Sequence, residues 1–178
     1  MSGQTPSKAA GNLIIEPAEF ARRGDVRSGM VALSLLPRLS QAVLGAKGEI
    51  AWQASGEVAQ ITGLPEAGRG WFLNLHICAV VTLSCQRCLE AFELPVDIST
   101  RILMVPETRP LPDEELEIED FDAIPVGREL NLAELIEDEL LLSLPLAPRH
   151  AECAPPEPAE KSDKQSPFAV LAHLKRGH

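Results

Sequence analysis

Apolar and polar residues alternate with a period of two in three consecutive stretches of the chain, and each stretch predicts a strand. The first lies near Gly48 to Ile61, where Ile50, Trp52, Ala54, Gly56 and Val58 alternate with polar neighbours. The second, Trp71 to Leu83, carries Phe72, Leu75, Ile77, Ala79, Val81 and Leu83 and is apolar enough for the centre of a sheet. The third is Ala91 to Val105. A breaker-rich loop over Thr62 to Gly70 separates the first two. Too few residues separate the last two for a crossover, so they are antiparallel neighbours.

Elsewhere the period is helical. Leu36, Leu39, Val43 and Leu44 predict a helix near Leu35 to Leu44, started around Ser34 and Pro37 and closed by Gly45. Leu132, Leu135, Ile136, Glu139, Leu140 and Ser143 share one face of a second helix that Pro145 ends. Asn131 is its expected N-cap, with Glu134 three residues on in a capping-box arrangement. Leu13 to Ile15 fits a short strand, and Glu16 to Arg23 a short helix with Pro17 in its first turn. These elements predict an α+β fold: an antiparallel β-sheet, open or curled toward a barrel, packed with a few helices. The expected organisation is a disordered N-terminus over residues 1–11 and a single α+β domain over 12–153. A linker over 154–166 and a short tethered C-terminal helix over 167–178 follow, with Phe168, Leu171 and Leu174 on one face of that helix.

Charge changes the picture of what the chain can bind. The net charge is −10, which disfavours an extensive grip on nucleic-acid phosphates and favours a basic protein partner. The acidic run of Asp113, Glu114, Glu115, Glu117, Glu119, Asp120 and Asp122 reads as a solvated surface or as a docking surface for such a partner. Arg22, Arg23, Arg27 and Arg38 make the most basic region, a solvated surface or a contact site for RNA or an acidic partner. Neither a signal peptide nor an apolar run of membrane-spanning length is visible, so the cytoplasm is the expected compartment.

The candidate chemistry is in the cysteines. Cys85-Gln86-Arg87-Cys88 falls between two predicted strands, on the turn of a hairpin. Far downstream, His150 and Cys153 recur at the same spacing. Cys85, Cys88, His150 and Cys153 are the ligand set of a tetrahedral Cys₃His site, and zinc is the implied metal. Two other readings stay open. The thiols are buried and bind nothing, or the Cys-x-x-Cys pair is redox-active, although it is not placed at a helix start after a βαβ unit. Cys78 lies off the pair and is expected in the core. No nucleophile, glycine loop or second acid cluster accompanies the adjacent acids Glu137, Asp138 and Glu139, so no catalytic site is expected.

Three segments, taken together and in this order, resemble a known family: Cys85-Gln86-Arg87-Cys88-Leu89-Glu90, Ile136 through His150, and Ser166 through Lys175. They look like the YceD family of large ribosomal RNA subunit accumulation proteins. The resemblance runs from about Trp71 onward. It implies a small cytoplasmic, non-enzymatic factor needed for accumulation of 23S ribosomal RNA. Combined with the acidic balance, this makes a precursor of the large ribosomal subunit or a basic ribosomal protein the expected partner, with direct RNA binding left open. The functional alternatives are a zinc-stabilised interaction module and a thiol oxidoreductase.

Overall fold

The computed structural model describes residues 13–45, 48–61, 68–109 and 121–156. The expected disordered N-terminus, the C-terminal helix and most of the linker and acidic run lie outside these residues. The elements, in chain order, are β1 (Ile14–Ile15), α1 (Pro17–Arg23), β2 (Val26–Ala32), a 3₁₀ turn (Leu33–Leu35) and α2 (Pro37–Ala42). They continue with β3 (Glu49–Gln60), β4 (Arg69–Ser84), β5 (Ala91–Pro106), β6 (Asp122–Val126), β7 (Leu130–Asn131) and α3 (Leu132–Ser143).

The architecture is α+β. Five strands form one open sheet in the order β2-β3-β4-β5-β6, and β1 pairs with β7 in a small second sheet. The main sheet is mixed. β2 to β5 are antiparallel, as the short hairpin turn between β4 and β5 requires, but β6 runs parallel to β5. A parallel neighbour needs a long return connection, and residues 107–121 supply one. The ends of the sheet, β2 and β6, are not joined, so no barrel closes.

Alternation along the strands decides which face is buried. Leu73, Leu75, Ile77, Ala79, Val81 and Leu83 of β4 point into the main core, where Ile50, Trp52 and Ala54 of β3 meet them. Phe20 and Ala21 of α1, Leu39 of α2, and Leu132, Ile136 and Leu140 of α3 cover that face. A smaller cluster of Ile61, Phe72, Leu103, Val105 and Phe121 forms separately, with the Phe72 and Phe121 rings edge to face at 5.2 Å. Trp71 is half-buried beneath the Arg22 guanidinium at 5.1 Å, a packing role rather than a stacking platform.

Two local departures from the sequence pattern have clear causes. α2 begins at Pro37, later than the pattern suggests, and Ser34 lies in the 3₁₀ turn instead of capping it. The acceptor for the α2 amides is Glu137 of α3, which takes hydrogen bonds from Arg38 N (2.7 Å) and Leu39 N (3.0 Å). Glu137, not Glu139, is therefore the acid that α3 buries. Asn131 caps α3 as expected, accepting from Ala133 N at 3.0 Å, while Glu134 bonds the Asn131 side-chain amide at 2.9 Å.

Gly56 marks where α1 sits hardest against the sheet. A Cβ there would lie 2.5 Å from the Phe20 carbonyl oxygen and 2.7 Å from its carbonyl carbon. Backbone cannot rotate out of the way, so Gly56→Ala should destabilise the fold by about 2–3 kcal/mol, the upper part of the range for overpacking. Gly127→Ala, whose nearest atom would be 3.7 Å away, should be close to neutral. Urea midpoints of the two variants against the parent check this.

Candidate metal centre

The β4–β5 ladder runs to its last pair, Ser84 with Ala91, and the residues between them make the turn. Cys85 N donates to Glu90 O (2.8 Å) and Leu89 N to Cys85 O (2.9 Å). Leu89 turns the chain at φ 67, a left-handed conformation costing a Cβ-bearing residue about 1–2 kcal/mol. Folded this way, the turn presents Cys85 and Cys88 to one side.

The segment after α3 crosses over this turn. Gln86 N donates to Pro148 O at 2.8 Å, and the Arg87 guanidinium donates to Cys153 O at 3.0 Å. His150 and Cys153 are thereby set above the hairpin cysteines. The His150 ring leans on Phe92 of β5, centroids 4.9 Å apart.

All four expected residues come together. The Cys85, Cys88 and Cys153 sulfurs and a His150 ring nitrogen lie within 4.8 Å of one another. Cys85 Sγ is 3.7 Å from Cys153 Sγ, and Cys88 Sγ is 3.3 Å from His150 Nδ1. With zinc–sulfur bonds of about 2.3 Å and zinc–nitrogen bonds of about 2.0 Å, a tetrahedron has sulfur–sulfur edges of about 3.8 Å and sulfur–nitrogen edges of about 3.5 Å. These two spacings match those edges within a few tenths of an ångström, and the remaining ones are all within 4.8 Å. They are far from the roughly 2.05 Å of a disulfide, and all four cysteines are free thiols. The residues present therefore fit a metal ion.

The electrostatics point the same way. Burial alone would push the Cys85 thiol up. Backbone N–H groups of Cys88, Arg87 and His150, with the His150 ring, outweigh it and bring its pKa down to about 5. Arg87 N lies 3.4 Å from that sulfur. Cys153 is pushed the other way, first by loss of solvent and then by the Cys85 and Cys88 sulfurs beside it. One thiolate forms readily and a second is resisted, because negative charge accumulates among the sulfurs. A divalent cation at the centre relieves that repulsion.

Sequence spacing located the four clustered side chains but not their supports. Arg87, Phe92 and Leu89 hold the geometry, and nothing in their sequence positions announces it; a glycine, not a leucine, would be the ordinary signal for the left-handed turn position. Cys78 departs from expectation. It is half-buried on the β4 face turned away from the main core, beside His76.

A family model described as large ribosomal RNA subunit accumulation protein YceD matches residues 73–175. That span contains β5, α3 and the whole four-residue centre. The chain belongs to the YceD family. A curated relative, the large ribosomal RNA subunit accumulation protein YceD of Haemophilus influenzae, is 34% identical over 111 residues. The match covers 54% of this chain and 60% of that relative. The family is named for accumulation of a ribosomal RNA and not for a reaction. No solved structure matches the chain significantly. Among the described residues, no helix is long and apolar enough to cross a membrane.

Proposed function

We propose that this protein is a non-enzymatic ribosome biogenesis factor required for the synthesis, processing or accumulation of 23S ribosomal RNA. In this reading zinc bound by Cys85, Cys88, His150 and Cys153 is a structural clip. The single observation that carries the role is the YceD family match across residues 73–175, the same span that builds the centre. Closed four-ligand sites of sulfur and nitrogen are structural, because no coordination position remains for a substrate.

The clip fastens the segment after α3 onto the far end of the β4–β5 hairpin, fixing the shape of that end. With a net charge of −10, the protein's electrostatic complement is a basic ribosomal protein or a precursor particle rather than naked RNA. Thiol exchange also uses a lowered thiol pKa, but an attacking sulfur must be reachable. Cys85 is fully buried, which favours ligation.

In cells lacking the gene, the ratio of 23S to 16S ribosomal RNA should fall, and a wild-type copy should restore it. A Cys85→Ser/Cys88→Ser copy expressed at equal level should not. An unchanged ratio on deletion would remove the ribosomal role and leave a metal-stabilised interaction module.

A further inference from the structure

A second group of ligand-type side chains lies well along the hairpin from the first. His76 and Cys78 are two apart on β4 and so project from the same face. Cys78 is the cross-strand partner of Asp97 on β5. His76 Nε2 is 2.8 Å from Asp97 Oδ1 and 3.5 Å from Cys78 Sγ. The three ligand atoms all lie within 4.8 Å of one another.

An exposed histidine–aspartate pair accounts for one of these contacts and leaves the thiol unexplained. A cysteine nucleophile with a histidine base does not account for the arrangement either. There the thiol meets one ring nitrogen and the acid orients the ring through the other. Here both converge on Nε2. A ring N–H shared between the carboxylate and the sulfur accounts for both contacts only as a three-centre bond in which the sulfur is a weak acceptor. Three donors of different type whose ligand atoms lie within 4.8 Å of one another can close together on one cation. The sulfur–nitrogen distance equals the tetrahedral edge of about 3.5 Å expected for zinc, and the 2.8 Å nitrogen–oxygen contact must open by about half an ångström, toward an edge of about 3.3 Å, when an ion enters.

We propose that His76, Cys78 and Asp97 form a second, three-ligand site for a divalent transition-metal ion. Thiolate, imidazole and carboxylate together select zinc, cobalt, nickel or copper over magnesium or calcium. All three groups stand on the long, paired strands of the sheet, so their spacing is held by the ladder rather than by a loop. Arg101, on the same strand as Asp97, is held by Glu57 at 2.6 Å. The His76 and Asp97 side chains are 49% and 77% exposed. The ion therefore keeps water on its outer side, and this site is open where the first is closed. Binding displaces the Cys78 proton to solvent, so uptake falls as pH is lowered.

The test is titration of the full, reduced chain with Co²⁺ alone, following thiolate-to-cobalt absorption and the metal retained after desalting. The wild-type protein should take up two equivalents, the second more weakly. His76→Ala/Asp97→Asn should take up one, and Cys78→Ser should lose the thiolate absorption of the second equivalent only. These residues lie on an exposed sheet face, so the variants should keep the parent's circular dichroism and melting midpoint. Saturation of the wild type at one equivalent, or a second equivalent that survives the double substitution, overturns the proposal. A Cys85→Ser/Cys88→Ser chain reports separately on the first centre, so failure of either site is seen independently.

Discussion

Cys85→Ser should lower the melting midpoint of the zinc-loaded protein by about 10 °C. An ion held a thousandfold above its dissociation constant adds about 4 kcal/mol to the folded state, and in a chain of this size each kcal/mol moves the midpoint by about 2–4 °C. The sheet core does not pass through the centre, so the domain should remain folded at room temperature. What opens is the end of the hairpin. Apart from the ligands, the crossing segment is tied to that turn by two hydrogen bonds, Gln86 N to Pro148 O and Arg87 to Cys153 O. Amide exchange should therefore quicken at residues 85–90 and 146–153 and stay slow along β3 and β4. A strong chelator should bring the wild type to the midpoint of the variant and leave the variant where it is. If the four side chains were merely packed together, the substitution would cost only about 1–3 kcal/mol for the buried hydroxyl, and chelation would change nothing. Equal midpoints for wild type with and without chelator would falsify the metal reading.

The parts of this structure legible in the sequence are those whose cause is local. β3, β4 and β5 alternate because one face of each is buried, and α3 carries its own cap in Asn131. The four side chains of the candidate centre come as two close pairs, so their clustering is legible from spacing alone. Elsewhere the cause is distant. β2 was hidden because Gly29, a weak strand former, sits inside it. A Cβ there would lie 3.4 Å from the Trp52 indole of the neighbouring strand, in van der Waals contact. β6 was hidden by Pro125, tolerated because β6 is the last strand of the sheet with one neighbour. The parallel pairing of β6 depends on a long connection with no periodic pattern of its own. Cys78 lies off the core for a related reason. Its relation to Asp97 is a matter of strand register, and register is fixed by the whole hairpin and not by any spacing within one strand.

The start of α2 depends on a contact across 99 positions, and it gives the second large expected effect. Glu137→Ala should destabilise the protein by about 2–4 kcal/mol, the cost of leaving two helix N-terminal amides without their charged acceptor. The Glu137 carboxylate is buried and accepts from Arg38 N, Leu39 N and the Arg38 side chain, the last at 2.9 Å. Without it, the first amides of a helix that has no side-chain cap of its own lose their acceptor. Glu137→Gln keeps the shape and one good acceptor, and should cost about 1–3 kcal/mol. Arg38 is half-exposed and also reaches Asp138 at 2.6 Å, so its loss should matter less than that of the glutamate. The pH dependence separates charge from shape. Burial pushes the Glu137 carboxyl up, but the Leu39 amide, the Arg38 side chain and the Arg38 amide together hold it below the usual range. A carboxyl lowered on folding contributes stability that is fully present above its unfolded pKa of about 4.3. That contribution is lost as pH falls through the lowered native value. The gap in unfolding free energy between wild type and Glu137→Gln should therefore be constant from about pH 6 to 8 and close at lower pH, as the carboxyl protonates. A gap that persists unchanged into acid would mean that the helix needs the shape of this side chain and not its charge.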